Sequence, residues 1–134
     1  MLRIIGGTAR GMKIEAPDTD KTRPTLDRVK ESVFNILIPY MADSKVLDLF
    51  SGSGNLGIEA LSRGASKAVF VDQSRYCTGI IRKNLEKVKF MDRAGILTMP
   101  VERAIPFLAR EGEKFDIIFM DPPYNMNFIV KTLQ

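Results

Sequence analysis

Alternating apolar and polar residues mark two short segments near the start of the chain. Residues 2–5 and 12–15 alternate in this way, and they flank a basic, glycine-rich segment at 6–11. Such alternation predicts strands with one buried face, and a glycine-rich link between two of them predicts a β-hairpin. The chain is therefore expected to begin with a hairpin whose tip is basic.

A helix is predicted after a polar stretch over residues 16–24. Its apolar residues recur at near-helical spacing, and we expect it to end at Pro39. We group the hairpin and this helix as an extension over residues 1–40, with a second unit over 41–134. The apolar positions of the helix are Leu26, Val29, Val33, Ile36 and Leu37.

From Lys45 onward the pattern changes to apolar strands that alternate with helices. The strands are nearly continuous apolar runs, which is typical of a parallel sheet covered on both faces. This predicts an α/β fold of the Rossmann-like kind. Strands are expected at 46–50, 68–71, 95–99 and 115–120, and helices at 56–61, after the capping residue Ser74, and at 104–110.

A glycine motif lies between the first of these strands and its helix. Residues 52–57 read Gly-Ser-Gly-Asn-Leu-Gly, which fits the G-x-G-x-x-G pattern of nucleotide-binding loops. Asp72 ends the next strand, where a carboxylate can accept hydrogen bonds from ribose hydroxyls. A nicotinamide dinucleotide site and a tight turn without any ligand both stay open at this point.

Asp48 favours a different cofactor. It lies four residues before Gly52, and a carboxylate there would repel a pyrophosphate but attract an ammonium group. S-adenosylmethionine carries an ammonium and a sulfonium and no phosphate, so it suits this loop better. Asp48 could instead cap a nearby backbone group, which is compatible with either cofactor.

The sequence Asp121-Pro122-Pro123-Tyr124 follows the last predicted strand directly. Ligands of open α/β sheets bind at the carboxyl ends of strands, so this motif and the glycine loop should share one crevice. The Asp121 carboxylate and the Pro122 carbonyl can accept both hydrogens of an exocyclic base amine and direct its lone pair. Tyr124 offers a face on which an extruded base can stack. The motif therefore indicates methyl transfer to a base amine.

Composition narrows the chemistry further. The chain has no histidine and one cysteine among its 134 residues. The commonest general base and metal ligand is thus missing, so catalysis must use carboxylates, backbone groups, tyrosine or a cofactor. A lone Cys77 forms no internal disulfide, so we expect a cytoplasmic protein. No apolar run is long enough to span a membrane, and no membrane partner is expected.

The net charge of +4 tilts the chain mildly toward polyanions. Residues 1–13 carry three cations and no acid, and residues 75–93 carry six cations and two acids. For the second cluster, charge alone favours a solvated helix face.

Several motifs together resemble the bacterial RsmD-type family. They are Arg23-Pro24-Thr25-Leu26-Asp27-Arg28-Val29-Lys30-Glu31-Ser32-Val33-Phe34-Asn35-Ile36-Leu37, Val46-Leu47-Asp48-Leu49-Phe50-Ser51-Gly52-Ser53-Gly54, Glu59-Ala60-Leu61-Ser62-Arg63-Gly64-Ala65 and Asp121 to Tyr124. The resemblance implies an S-adenosylmethionine methyltransferase that acts on the 2-amino group of a guanine in small-subunit ribosomal RNA, free or in an assembly particle. It implies a seven-stranded sheet, of which this chain holds the first four parallel strands.

The motifs and the resemblance together assign residues to roles, and the resemblance implies that the segment from Arg23 to Thr25 helps to close the site. Catalysis is expected of Asp121, Pro122 and Tyr124. The cofactor is expected over Asp48, Phe50, Ser51, Gly52, Ser53, Gly54, Asp72, Gln73 and, near its adenine, Glu102. Nucleic acid is expected at Arg3, Arg10, Lys13, Arg23, Thr25 and Arg28, and no metal is expected.

The chain ends at Gln134, within the helix expected after the Asp-Pro-Pro-Tyr motif. We therefore expect a truncated methyltransferase domain whose fourth strand forms an exposed apolar edge, through which two copies could dimerise. Two alternatives stay open: an adenine-N6 DNA methyltransferase, since adenine also presents an exocyclic amine, and an inactive, truncated fragment that binds nucleic acid.

Overall fold

A computed structural model describes residues 2–17, 23–120 and 129–131, and for residues 23–26 and 129–131 it describes the backbone only. The strands are β1 (Leu2–Arg3), β2 (Lys13–Ile14), β3 (Lys45–Leu49), β4 (Lys67–Asp72), β5 (Ala94–Thr98), β6 (Ile117–Met120) and β7 (Ile129–Lys131). The α-helices are α1 (Arg23–Met41), α2 (Asn55–Ser62), α3 (Arg75–Val88) and α4 (Val101–Arg110), and a 3₁₀ turn spans Met91–Arg93.

The central sheet has the strand order β5-β4-β3-β6-β7. Strands β3, β4, β5 and β6 are parallel, so the predicted parallel sheet of four strands is confirmed. The predicted hairpin is also confirmed, since β1 and β2 pair antiparallel with Leu2 opposite Ile14. Because the four strands are parallel, their carboxyl ends and the loops that follow them meet at one edge.

Both faces of this sheet are buried, as the apolar runs predict. Alternate residues of one strand enter different cores: Val46 packs with the hairpin, α1, α2 and α3, whereas Leu47 packs with α4. The hairpin and α1 thus share one hydrophobic core with the α/β unit. In the described part of the chain, no helix is long and apolar enough to cross a membrane.

Helix α1 differs from the prediction in its end and in its buried face. It continues past Pro39 to Met41. Proline lacks only its own N–H, and the residues that follow it can still donate to earlier carbonyls, so the helix does not have to end there. Ile36, expected in the core, is 73% exposed, and Val29 is exposed as well. The buried positions are Lys30, Phe34, Leu37 and Met41, a stripe with i, i+4, i+7, i+11 spacing.

The sheet edge beyond β6 also differs from the prediction. A helix was expected after the Asp-Pro-Pro-Tyr motif, but residues Ile129–Lys131 form strand β7 and pair antiparallel with β6. The backbone groups along an edge strand need partners, and β7 supplies them. The prediction that β6 forms an exposed edge is therefore wrong, so β6 does not offer a free edge through which two copies could pair. Dimerisation itself stays a prediction.

Candidate functional site

The loop between β3 and α2 lies at the carboxyl edge of the sheet and is held there by Ser51. The backbone N–H of Ser51 donates to the carbonyl of Val71 on β4 (2.9 Å). Its hydroxyl accepts from the N–H of Val71 (3.2 Å) and donates to the carbonyl of Asp48. These bonds extend the pairing of β3 and β4 by one residue, which fixes where the glycine loop begins.

Two glycines of the G-x-G-x-x-G motif, Gly52 in the loop and Gly57 in α2, have different physical roles. At Gly57 an added Cβ would lie 2.3 Å from the ring of Phe70, so only glycine lets α2 pack this closely on β4. At Gly52, which has φ of +60°, an added Cβ would meet no atom within 4 Å among the described residues. The motif is therefore tightly packed where α2 meets β4 and open at Gly52, where a ligand can approach the backbone.

Asp72 joins three segments at this edge. Its Oδ2 accepts from the N–H of Gly52 (2.9 Å) and its Oδ1 from the N–H of Ser74 (2.9 Å). Its carbonyl accepts from the N–H of Met99, just after β5 (3.1 Å). Each carboxylate oxygen has a further lone pair, so Asp72 can still accept from the hydroxyls of a ribose.

Asp48 has a structural partner at the start of α2. The carboxylate is 2% exposed, and its Oδ2 accepts from the backbone N–H of Gly57 (3.0 Å). A negative charge there stabilises the first turn of the helix. Capping of a backbone group, the role that suits either cofactor, is thus observed for Asp48, and its charge alone does not identify the ligand.

The remaining cofactor candidates differ in their exposure to solvent. Phe50 has φ of +57°, a left-handed conformation at the end of β3, and Ser53 is buried. Gln73 is exposed beside Asp72, and Glu102 is exposed in the first turn of α4. The cofactor roles of all of these residues stay predictions.

The catalytic candidates Asp121, Pro122 and Tyr124 lie outside the described residues. Strand β6 ends at Met120, which pairs with Leu49 of β3. Strands β3 and β6 therefore end side by side; the glycine loop follows β3, and the Asp-Pro-Pro-Tyr motif follows β6 in the sequence.

The hairpin docks along α2, with its glycine-rich segment at the end of that helix far from the loop. The N–H of Thr8 donates to the carbonyl of Ser62, the last residue of α2 (2.8 Å). The Ser62 hydroxyl accepts from the N–H of Ala9 (2.9 Å) and donates to the carbonyl of Gly6 (2.6 Å). A Cβ on Gly7 would lie 1.9 Å from the Ser62 carbonyl oxygen, so this contact is very close.

The predicted nucleic-acid residues are on the surface where their side chains are described. Arg3, Arg10, Lys13 and Arg28 are exposed, and Arg3 forms a 3.7 Å ion pair with Asp27. Arg23 and Thr25 lie in the first turn of α1, and their side chains are outside the described part.

The sequence did not reveal a buried polar cluster under the hairpin. The Glu59 carboxylate, fully buried on α2, accepts from the backbone N–H groups of Ile5 (3.0 Å) and Gly6 (2.9 Å). It also pairs with the Lys30 ammonium (3.2 Å) and the Arg63 guanidinium (2.7 Å). The cluster thus joins the hairpin, α1 and α2.

Lys30 completes this cluster. Its Nζ donates to the carbonyl of Arg3 (2.8 Å) and to Oδ1 of Asn55 (2.7 Å), the first residue of α2. Burial lowers the pKa of Lys30 from its usual value, although Glu59 opposes this shift. The only signal in the sequence was a lysine in the stripe that includes Phe34 and Leu37.

Neither the single cysteine nor a cluster of metal-binding side chains adds a reactive group to the described part of the site. Cys77 is half-buried near the start of α3, and burial raises the pKa of its thiol, which keeps it in the less reactive form. Within the described residues, no group of three or more histidine, cysteine, aspartate or glutamate side chains could hold a metal ion.

Comparisons with known proteins identify the family and the fold of the chain. A family profile described as "Conserved hypothetical protein 95" matches residues 2–134. The chain is 42% identical over 132 residues to ribosomal RNA small subunit methyltransferase D of Escherichia coli K12, which covers 98% of this chain and 65% of that protein. The chain thus spans about two thirds of the length of that relative.

Solved structures show the same fold. A hypothetical protein of Thermus thermophilus matches with a TM-score of 0.82 at 32% identity, over 92% of this chain and 70% of that one. A structure described as "a putative methyltransferase complexed with SAH" matches with a TM-score of 0.62 at 27% identity, over 70% of this chain and 25% of that one.

Proposed function

The chain belongs to the family described as Conserved hypothetical protein 95, and from that premise we propose that it is the catalytic part of an S-adenosylmethionine-dependent methyltransferase that modifies the 2-amino group of a guanine in small-subunit ribosomal RNA. The proposal rests mainly on the features that lie together at the carboxyl edge of the sheet. The open glycine loop, Asp72 and the strand that leads into Asp121-Pro122-Pro123-Tyr124 all meet there.

The loop geometry suits a nucleoside cofactor. Asp72 keeps acceptor capacity for ribose hydroxyls, and Gly52 leaves room for a ligand beside the backbone. A similar fold solved with SAH, the product form of the donor, supports the choice of cofactor. When bound, S-adenosylmethionine would supply the methyl group from its sulfonium.

The Asp-Pro-Pro-Tyr motif would hold the acceptor. The Asp121 carboxylate and the Pro122 carbonyl would accept both hydrogens of the guanine 2-amino group and direct the nitrogen lone pair at the methyl group. Tyr124 would stack on the extruded base, a contact worth about 1–3 kcal/mol. No histidine is needed, because the amine nitrogen becomes acidic on methylation and can then release its proton.

The substrate is proposed from the relatives. The match to ribosomal RNA small subunit methyltransferase D of Escherichia coli covers 98% of this chain, and the name of that relative supplies the proposed substrate. The exposed cations Arg3, Arg10, Lys13 and Arg28 would contact phosphates of the RNA, free or in an assembling subunit.

Transfer of a labelled methyl group tests the proposal. The protein is incubated with methyl-labelled S-adenosylmethionine and either isolated small-subunit RNA or partly assembled small subunits, and label in the RNA is expected. Asp121→Ala should abolish transfer and leave cofactor binding within about twofold, since Asp121 holds the acceptor. Absence of label in both substrates would overturn the proposal, and a fully active Asp121→Ala variant would overturn the role of that residue.

A further inference from the structure

Two buried side chains tie the hairpin to the residues on either side of Gly54 in the glycine loop. Asn84 of α3 is 1% exposed, and its Nδ2 donates to the carbonyl of Ser53 (2.9 Å) and to the carbonyl of Glu15 (3.0 Å). Its Oδ1 accepts from the N–H of Glu15 (2.8 Å), so both ends of its amide are used. Ser53 is thereby linked to the residue that follows β2.

The second link runs through Lys30. Its ammonium bridges the carbonyl of Arg3 on β1 and Oδ1 of Asn55. Ser53 and Asn55 flank Gly54, which caps α2 in a left-handed conformation with φ of +81°. Each strand of the hairpin is therefore connected to one side of the loop through a single buried side chain.

We propose that Asn84 and Lys30 are positioning residues that make cofactor binding at the loop depend on how the hairpin is docked. This inference rests on the proposed function, in which the loop binds S-adenosylmethionine and the hairpin meets RNA. A buried amide that loses its partners is costly, so the loop and the hairpin move together rather than separately. RNA binding to the hairpin then changes cofactor affinity, and by linkage cofactor changes RNA affinity by the same factor.

Two glycines of the hairpin provide a matched test far from the loop. Gly7 and Gly11 have nearly the same left-handed φ, +82° and +87°, so alanine introduces similar backbone strain at both. At Gly7 the new Cβ would collide with the Ser62 carbonyl, whereas at Gly11 it would meet no atom within 4 Å in the described part. Gly7→Ala therefore displaces the hairpin from α2, and Gly11→Ala does not.

Calorimetry with S-adenosylmethionine, with and without saturating small-subunit RNA, measures the linkage. For the wild type, RNA should tighten cofactor binding by about fivefold or more. Gly7→Ala should raise the cofactor Kd and bring this factor toward one, while Gly11→Ala keeps both values. Asn84→Ala should behave like Gly7→Ala, with the exposed Asn35→Ala as its control.

The outcomes separate the two proposals. A wild type that binds no cofactor would overturn the proposed function itself. A wild type that binds cofactor, with Gly7→Ala matching Gly11→Ala in Kd and in coupling, would overturn the positioning role. If Asn84→Ala fails to fold, the glycine pair still decides, because neither glycine contacts the loop.

A separate observation concerns charge on the two faces of the sheet. Helix α3 and Lys89 carry five exposed cations and one acid, whereas residues 101–114 on the opposite face carry three cations and three acids. Within the described residues, the five cations of α3 and Lys89 form no ion pair. Lys87 instead donates to the carbonyl of Lys13 on β2. The basic surface of the hairpin thus continues onto α3.

We infer that the exposed face of α3 is an RNA-docking surface that extends the surface of the hairpin. The helix begins three residues after Asp72, at the cofactor edge, and spans about 21 Å for its 14 residues, so it reaches from that edge to the hairpin, where Lys87 contacts Lys13. Exposed Tyr76 near its start adds an aromatic face on which an unpaired base can stack. This inference also rests on RNA as the substrate.

Paired charge reversals test this surface. Arg82→Glu/Lys83→Glu on α3 and Arg103→Glu/Arg110→Glu on α4 change the net charge equally, and all four side chains are exposed. RNA affinity is measured over a salt series. The α3 variant should bind at least about tenfold more weakly, and its salt slope should fall by about 0.7–0.9 for each phosphate that it no longer neutralises. The α4 variant should keep the wild-type slope.

Equal weakening of RNA binding in both variants, or unchanged binding in both, would overturn the surface on α3. Absence of RNA binding by the wild type would instead overturn RNA as the substrate.

Discussion

Replacing Glu59 with glutamine is expected to destabilise the protein by about 3–5 kcal/mol. The carboxylate is fully buried and has four donors within 3.2 Å: two hairpin N–H groups, the Lys30 ammonium and the Arg63 guanidinium. Glutamine keeps the shape but turns one oxygen into a donor that faces other donors, and the buried Lys30 charge loses its counter-charge. A domain is stable by about 5–15 kcal/mol, so this destabilisation is a large fraction of the total.

Urea unfolding followed by circular dichroism measures the effect. Glu31→Gln, an exposed change of the same kind on α1, is the control and should have little effect. The double variant Lys30→Met/Glu59→Gln should be destabilised by less than the sum of the two single variants, with a coupling of about 1–3 kcal/mol. A destabilisation below about 1 kcal/mol for Glu59→Gln, the value of an exposed ion pair, would refute the role of the buried cluster.

Three further predictions concern a close helix–sheet contact, a helix cap and the buried lysine. Gly57→Ala should cost about 1–3 kcal/mol in urea unfolding, because its Cβ would overlap the buried Phe70 ring, and a stabilised variant would contradict this close packing. Ser74→Ala should cost about 1 kcal/mol, since the Ser74 hydroxyl accepts from the N–H of Cys77 at the start of α3; an unchanged unfolding midpoint would contradict the cap. Because burial lowers the pKa of Lys30 in the folded state, the unfolded chain binds more protons between that lowered pKa and pH 10.5, so the unfolding free energy should rise with pH in that window. Lys30→Met should remove this rise, and an identical pH profile in both proteins would contradict it.

The sequence predicts most of the sheet and of the loop. Apolar runs such as those around Val46 and Phe70 are continuous, so they identify strands buried on both faces without further information. The G-x-G-x-x-G spacing places the loop correctly between β3 and α2, and the Ser74 cap is confirmed. The resemblance to the RsmD-type family is confirmed by the family match, and the methyltransferase-like fold by the solved structures.

The wrong predictions concern the buried face of α1 and strand β7, which contacts between distant parts of the sequence determine. Two stripes of α1 carry apolar residues, and the one that is buried contains Lys30, which made it look less apolar than the stripe with Ile36. The charge of Lys30 is satisfied by Glu59 and Asn55, residues 25 or more positions away, so the local sequence pattern does not predict that Lys30 is buried. Strand β7 was likewise missed, because its partner β6 rather than its own periodicity determines its structure.

The proposed chemistry is tested most directly by identifying the methylated nucleoside. Small-subunit RNA or partly assembled subunits that lack the modification are treated with the protein and S-adenosylmethionine, digested to nucleosides and analysed by mass spectrometry. The proposal predicts that N2-methylguanosine is formed in the presence of the protein and not with Asp121→Ala. Methylation of adenine alone, or no new methylated nucleoside in either substrate, would contradict it.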